Sequence, residues 1–198
     1  MIRNLISRVL AITFWPFVMA AQGTMVYDQQ SSDESNPGAS FNTIQNVQPT
    51  GQSFTPSLNG IGFVRFNLFD RGPNNGIGAT LFVNLRSDSI TGPIIDSTAP
   101  VTLADSTGSF TFIDFFFSNN VPIQPGTKYF LQPVVQSGDQ WGIVGANFNY
   151  AGGELYANGT AFSSDYWFRE GVIVPEPSLT ALVFVTASVF IWRKKRIF

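Results

Sequence analysis

The stretch Val64-Arg-Phe-Asn-Leu68 decides the fold class of this chain, because apolar and polar residues alternate along it. Successive side chains of a β-strand point to opposite faces, so such a segment buries one face and turns the other towards water. Leu81, Val83 and Leu85 repeat the pattern in a second segment. Two half-buried strands of this kind predict sheets that share an apolar core.

Further strands are predicted around these two segments, at residues 25–29, 52–54, 109–117, 127–136, 140–149 and 161–169. Residues 109–117 are apolar on both faces, which predicts a central strand, whereas residues 29–40 are polar and predict a loop. Turn-forming sequences such as Gly72-Pro-Asn-Asn-Gly76 and Asn158-Gly159 separate the strands at short spacing. About eight to ten short strands predict an all-β fold, an antiparallel β-sandwich of the jelly-roll type.

The first 20 residues have the composition of a signal peptide. Arg3 and Arg8 supply the positive charge, residues 9–18 form a short apolar core, and small residues precede the end of the segment at Ala20. We predict cleavage after Ala20, with Ala21-Gln22-Gly23 as a second choice. The alternative is an uncleaved N-terminal anchor, although the apolar core is too short to span a bilayer.

The C-terminal part of the chain combines three features in a fixed order. Val174-Pro-Glu-Pro-Ser178 comes first, the uncharged segment 178–192 follows, and the basic cluster comes last: Arg193, Lys194, Lys195 and Arg196. The two prolines keep the backbone around Glu176 extended. As a helix, the uncharged segment would reach roughly 22 Å, which is short for a hydrocarbon core of roughly 30 Å. The basic cluster predicts that the C-terminus stays in the cytoplasm.

In the order and position of these features, residues 174–198 closely resemble the PEP-CTERM sorting domain, whose signature falls on Val174, Pro175, Glu176 and Pro177. The resemblance implies a Gram-negative bacterium that makes exopolysaccharide, with the export machinery and exosortase as partners. It implies transient anchoring in the inner membrane by a helix at 178–192, followed by release to the cell surface or extracellular matrix. From the residues alone, a permanent single-pass anchor remains an alternative.

Composition limits what the exported part could do. All 13 acidic residues lie between Asp28 and Glu176, while six of the 11 basic residues lie in the two terminal segments, so the part between carries a formal charge of −8. This charge disfavours nucleic acid as a partner and is compatible with neutral polysaccharide. The chain has no cysteine and no histidine, which excludes disulfides, thiolate metal sites and a Ser-His-Asp triad.

The body has a resemblance of its own. Gln52-Ser-Phe54, Pro125-Gly-Thr-Lys-Tyr129, Tyr150-Ala-Gly-Gly153 and Asp165-Tyr-Trp-Phe-Arg169 look like parts of a jelly-roll module found in exported PEP-CTERM proteins, which is similar to carbohydrate-binding β-sandwiches. Exposed aromatic side chains stack on sugar rings, and three aromatic residues border glycine-rich loops: Trp141, Tyr150 and Tyr156. They are the predicted sugar contacts, with membership of the core as the alternative.

Two further kinds of site are considered. Calcium requires about six to eight oxygen ligands, and four acidic residues near the ends of the body could supply some of them: Asp28, Asp33, Glu34 and Asp165. Their alternative is a set of solvated loop charges. Glycoside hydrolysis would need a pair of carboxyl groups, for which Asp114 with Glu154 or Glu170 is the candidate. The alternative for Asp114 is an ion pair with Arg65, Arg86 or Lys128.

Together these patterns predict a signal peptide at residues 1–20, a β-sandwich at 21–173 and a sorting tail at 174–198. The tail divides into a motif at 174–177, a membrane helix at 178–192 and a basic end at 193–198. The predicted role is that of an exported structural or adhesive protein associated with exopolysaccharide, with no enzymatic activity and no cofactor. The alternatives are a non-catalytic carbohydrate-binding module, a secreted glycoside hydrolase and a permanently anchored receptor-like protein.

Overall fold

The computed structural model describes residues 23–106 and 108–176, in which 14 strands form two antiparallel sheets. Gly23–Val174 form one compact unit. The sheets pack face to face, so the predicted all-β sandwich is confirmed. The predicted signal peptide at 1–20, the membrane helix at 178–192, Pro177 and the basic cluster at 193–196 lie outside the described residues. Within those described ranges, no helix has the length and apolar character needed to cross a membrane.

A short 3-10 helix (Ile44–Val47) follows the second strand. In chain order the strands are β1 (Thr24–Gln30), β2 (Ser40–Thr43), β3 (Gly51–Phe54), β4 (Gly60–Asp70), β5 (Ala79–Ser87), β6 (Ile94–Ser97), β7 (Val101–Leu103), β8 (Thr111–Pro122), β9 (Tyr129–Gly138), β10 (Trp141–Ala146), β11 (Leu155–Ala157), β12 (Thr160–Phe162), β13 (Asp165–Tyr166) and β14 (Phe168–Val174).

Each sheet contains seven strands. In the first sheet, β4 pairs with β8 along one side and with β14 and β10 along the other, while β1 pairs with β14, and β2 and β13 pair with β10. The second sheet runs β12-β11-β3-β9-β5-β6, with β7 also paired to β5. Strands that are distant in the chain are therefore neighbours in both sheets.

The alternating residues of β4 and β5 point into the space between the two sheets. The three apolar residues of Val64-Arg-Phe-Asn-Leu68 and their three counterparts in β5 are fully buried, and all belong to one core cluster. Burying a large apolar side chain stabilises a fold by about 1.5–3 kcal/mol. Because the chain has no cysteine, this core rather than a disulfide holds the sheets together.

The prediction that residues 109–117 form a central strand is wrong. The strand at this position, β8, pairs with β4 alone among the described strands, so it lies at an edge of the first sheet. Its outward aromatic residues are covered by ring contacts instead of by a further strand: Phe112 lies 4.5 Å from Trp167, measured between ring centroids. Phe116 remains 41% exposed. The apolar residues on both faces of β8 are therefore explained by contacts with other side chains and not by a central position in the sheet.

The turn-forming residues explain one hairpin, but they do not reveal where the strand predicted at 161–169 is interrupted. Asn158 and Gly159 adopt φ values of 51° and 75° and join β11 to β12, as expected for an Asn-Gly hairpin turn. The single strand predicted at 161–169 is instead divided among β12, β13 and β14. β12 belongs to the second sheet while β13 and β14 belong to the first, so the chain changes sheets within the predicted strand.

The polar segment between β1 and β2 is a loop, as predicted, and it lies over the outer face of the first sheet. Asn67 donates a hydrogen bond of 2.9 Å to the carbonyl of Pro37, and the Trp167 indole donates one of 3.0 Å to the carbonyl of Asp33. Glu34 of the same loop forms ion pairs with two arginines of the sheet. The loop thereby closes over side chains that the alternating pattern turns outward.

Candidate functional site

The three predicted sugar contacts do not form one exposed platform. Trp141 is only 3% exposed and belongs to the core, because it is the first residue of β10 and its side chain points between the sheets. Tyr156 lies in the second sheet and packs edge-on against Phe130. Tyr150 follows β10 and packs edge-on against Phe168. The prediction is therefore corrected for Trp141, whose proximity to a glycine loop did not indicate which way it points.

The four candidate calcium ligands make separate contacts and do not converge on one site. Asp28 accepts hydrogen bonds from the backbone N–H groups of Ser57 and Leu58 at 2.8 and 2.9 Å. Asp33 caps its own loop and Glu34 forms ion pairs. No group of three or more acidic side chains that could hold a metal occurs within residues 23–106 and 108–176, so the four do not form the predicted site. Each carboxyl organises a different turn or loop.

The candidate hydrolase pair is also divided. Asp114 lies opposite Arg65 on the outer face of the first sheet and forms a bidentate contact with its guanidinium at 2.6 and 2.8 Å. Glu170 lies opposite Val64, a core residue, so its carboxyl points to the inner face. Glu154 lies in the loop before β11 of the second sheet. Since the sheet separates Asp114 from Glu170, these two do not share a cleft as a hydrolase requires.

A different grouping is formed by two of the predicted residues, Tyr150 and Asp165. They meet beside a cleft of about 380 Å³, which we call the Tyr150 cleft. Its lining comes from the loop after β10, from the turn between β12 and β13 and from the first residue of β13: Asn147, Asn149, Tyr150, Ala151, Gly153, Glu154, Ser163, Ser164 and Asp165. The sequence places these two segments apart, and the pairing of β10 with β13 brings them together.

The floor of the Tyr150 cleft is held by hydrogen bonds. The Asp165 carboxylate accepts one from the Gln52 amide and one from the Tyr150 backbone N–H, each of 3.1 Å. Burial nevertheless raises the pKa of Asp165 above its usual value. The Tyr150 hydroxyl donates to Gln29 at 3.1 Å, and burial raises its pKa to about 12. The Asp165 carboxylate and the Tyr150 hydroxyl are therefore both held in place by the protein's own hydrogen bonds.

The side chains at the rim of the cleft, unlike those at its floor, are not engaged in hydrogen bonds within residues 23–106 and 108–176. Among the described residues, the side chains of Asn147, Asn149, Glu154 and Ser163 have no hydrogen-bond or ion-pair partner. They offer amide donors, amide and carboxylate acceptors and a hydroxyl. No lining residue is basic. These groups could contact a polar molecule that enters the cleft.

Glu170, which the sequence suggests only as one member of a hydrolase pair, is a buried acid of the core. Glu170 is fully buried; its Oε1 accepts a hydrogen bond from the Gln29 backbone at 3.2 Å, and its Oε2 has no partner within the described part of the chain. Burial, and next the charge of Asp28, raise its pKa to about 9. It is therefore an uncharged acid of the core at neutral pH. The signal was present, because Glu170 is in phase with the inward residue Phe168.

No family model matches this chain, and no curated protein is significantly similar to it.

Proposed function

We propose that this chain is an exported protein of the cell surface or extracellular matrix, sorted through its C-terminal tail and associated with exopolysaccharide in a structural or adhesive role. The observation that carries the proposal is the order of three features in residues 174–198: the Pro-Glu-Pro motif, the short uncharged segment and the basic cluster. No single one of these features is specific, but their fixed order is typical of a PEP-CTERM tail.

The proposed course of events starts at the inner membrane. The signal peptide at residues 1–20 directs export, and the segment at 178–192 then holds the chain in the bilayer. Exosortase acts near residues 175–177 and passes the body outward. Exosortase needs an accessible motif. The exposure of these residues supports this step, because Val174 is 46% exposed and Pro175 and Glu176 are also exposed.

We further propose that the sandwich is a jelly roll. Support comes from the order of eight strands, which run β1-β14-β4-β8 in one sheet and β3-β9-β5-β6 in the other. In this order, the strand pairs β1-β14, β3-β9 and β4-β8 nest within one another along the chain, as two successive Greek keys require. The segment from β10 to β13 is then an insertion before the last strand, and it carries the Tyr150 cleft.

The test is the intact mass of the mature protein from cells with and without exosortase. Loss of the residues beyond the Pro-Glu-Pro motif only in the presence of the enzyme is the expected result. Replacing Pro175 and Pro177 by alanine should abolish that loss, whereas the matched change Pro73→Ala, in a body turn, should not affect it. A tail retained in both strains would identify a permanent anchor, and a tail lost in both would identify another protease; either result overturns the proposal.

A further inference from the structure

The Tyr150 cleft combines a hydrogen-bonded floor with rim side chains that have no partner among the described residues. Its volume of about 380 Å³ lies near the lower end of the range of small-molecule sites. Space of this size accommodates one or two sugar rings rather than a long segment of a polymer. The cleft is therefore a site for the end or a branch of a larger molecule, or for a small free ligand.

The rim groups specify a ligand that both donates and accepts hydrogen bonds. The amides of Asn147 and Asn149 offer both functions, the Ser163 hydroxyl does so as well, and the Glu154 carboxylate only accepts. Hydroxyl groups of a sugar meet all of these, since each donates one hydrogen bond and accepts others. Tyr150 belongs to the lining, and its hydroxyl is already engaged with Gln29.

The charge of the cleft selects among polar ligands. Glu154 and Asp165 are the ionisable acids of its lining, apart from the tyrosine hydroxyl, and no lining residue is basic. An anionic ligand such as a uronate or a phosphate would meet uncompensated negative charge. A divalent cation is also poorly served, because both oxygens of Asp165 already accept hydrogen bonds from the protein.

We propose that the Tyr150 cleft binds a neutral sugar residue of a glycan, through Asn147, Asn149, Glu154 and Ser163, without catalysis. That the glycan is extracellular polysaccharide rests on the proposed function; the binding itself follows from the cleft. The role is that of a carbohydrate-binding module whose contacts lie on loops of the β10–β13 insertion and not on the flat faces of the sheets.

The experiment is isothermal titration of the full chain in a phosphocholine detergent, which has no sugar headgroup that could compete. The probes are glucose, galactose, mannose and N-acetylglucosamine with a disaccharide of each, and glucuronate serves as the anionic probe. We expect at least one neutral sugar to bind and glucuronate to bind at least about tenfold more weakly. Glu154→Gln, which weakens a charge-assisted hydrogen bond, should weaken that binding about tenfold.

Two further variants locate the site. Asn149→Gly removes the amide while keeping the backbone at its φ of 58°, and it should also weaken binding. Asp88→Asn removes one carboxyl from an exposed loop of the second sheet and should leave binding unchanged. Thermal unfolding of each variant shows whether the fold is preserved.

Four outcomes would overturn the inference: no neutral sugar binds, glucuronate binds equally well, binding requires calcium, or neither Glu154→Gln nor Asn149→Gly weakens it. The outcome is independent of tail processing. Sugar binding by a chain whose tail is never cut would contradict the sorting proposal alone. Correct processing of a chain that binds none of the sugars would contradict the cleft alone.

Discussion

Carboxyl groups on the two faces of the first sheet have different surroundings: those of Asp114 and Glu34 form ion pairs, whereas that of Glu170 is buried. On the outer face, Asp114 contacts the Arg65 guanidinium at 2.6 Å, and Glu34 pairs with both Arg65 and Arg169 at 2.9 and 2.7 Å. On the inner face, Glu170 is buried and forms no ion pair with any cation of the described ranges 23–106 and 108–176. Arg169 and Glu170 are adjacent in β14, so one step along a strand separates an ion network from a solitary buried acid.

The difference shows that burial and pairing act separately on an ionisable group. The hydrogen bonds that Arg65 donates to Asp114 raise the pKa of Arg65 although partial burial opposes them, so the outer network stays charged. For Glu170, burial acts without an opposing cation and favours the neutral form. The inner face holds Glu170 as a neutral acid, whereas the outer face uses carboxylates to hold the β1–β2 loop.

The largest expected effect concerns Glu170 and pH. Its unfolded pKa is near 4.5 and its folded pKa is about 9, so between these values the folded state retains a proton that the unfolded state has lost. Stability must therefore fall as pH rises through this window, by up to about 1.4 kcal/mol per pH unit. Glu170→Gln, which resembles the neutral acid, should match the wild type near pH 5 and exceed it by several kcal/mol near pH 9.

Urea unfolding of the two proteins at pH 5, 7 and 9 measures this difference. Taking the difference between the variant and the wild type cancels the titration of the other carboxyls. Asp88→Asn removes an exposed carboxyl and serves as the matched control. Parallel profiles for Glu170→Gln and the wild type would show that Glu170 is charged in the folded state, and the contrast between the faces would disappear.

An intermediate effect is expected when the outer network loses its shared cation. Arg65→Met keeps much of the aliphatic stem but leaves Asp114 without its guanidinium partner and Glu34 with Arg169 alone. The side chains of Arg65 and Asp114 are 21% and 24% exposed, so solvent relieves part of the cost, and we expect a loss of about 1–2 kcal/mol. Urea unfolding at pH 7 measures it.

The double variant Arg65→Met/Asp114→Leu should recover part of that loss, because the uncompensated carboxylate is then gone. Lys128→Met removes a cation from an exposed turn and should change stability by less than about 0.5 kcal/mol. If the double variant is less stable than Arg65→Met alone, the Asp114 carboxylate stabilises the sheet through contacts other than the ion pair.

Sequence reasoning succeeded where a single strand carries the whole signal. The alternation around Val64 predicted which residues of β4 face the core, and the Asn158-Gly159 pair predicted a hairpin. The same alternation, continued through Phe168 and Glu170, would have predicted an acid in the core. The strand predicted at 161–169 ends one residue before Glu170, so the predicted pattern does not include it.

The Tyr150 cleft could not be predicted in the same way. Its lining combines residues 147–154 with residues 163–165, and their proximity depends on how β13 pairs with β10. Such a pairing is decided by packing between distant segments and leaves no local pattern. Trp141 was misassigned for a related reason: a neighbouring glycine loop suggests exposure, but the side chain follows the direction set by the strand.

The smallest expected effect belongs to Glu34, the loop member of the outer network. Burial alone would raise its pKa, but its own backbone N–H and the two arginines lower it, so its contribution exists above pH 4.5 and is lost as pH falls below that value. Because its side chain is 39% exposed, solvent and salt screen it, and Glu34→Gln should cost only about 0.5 kcal/mol at pH 7. Urea unfolding at low and high salt tests this, with the cost vanishing at high salt. A cost above about 2 kcal/mol that persists in salt would mean that the loop shields the network as completely as the core shields Glu170. Pairing alone, and not exposure, would then distinguish the two faces.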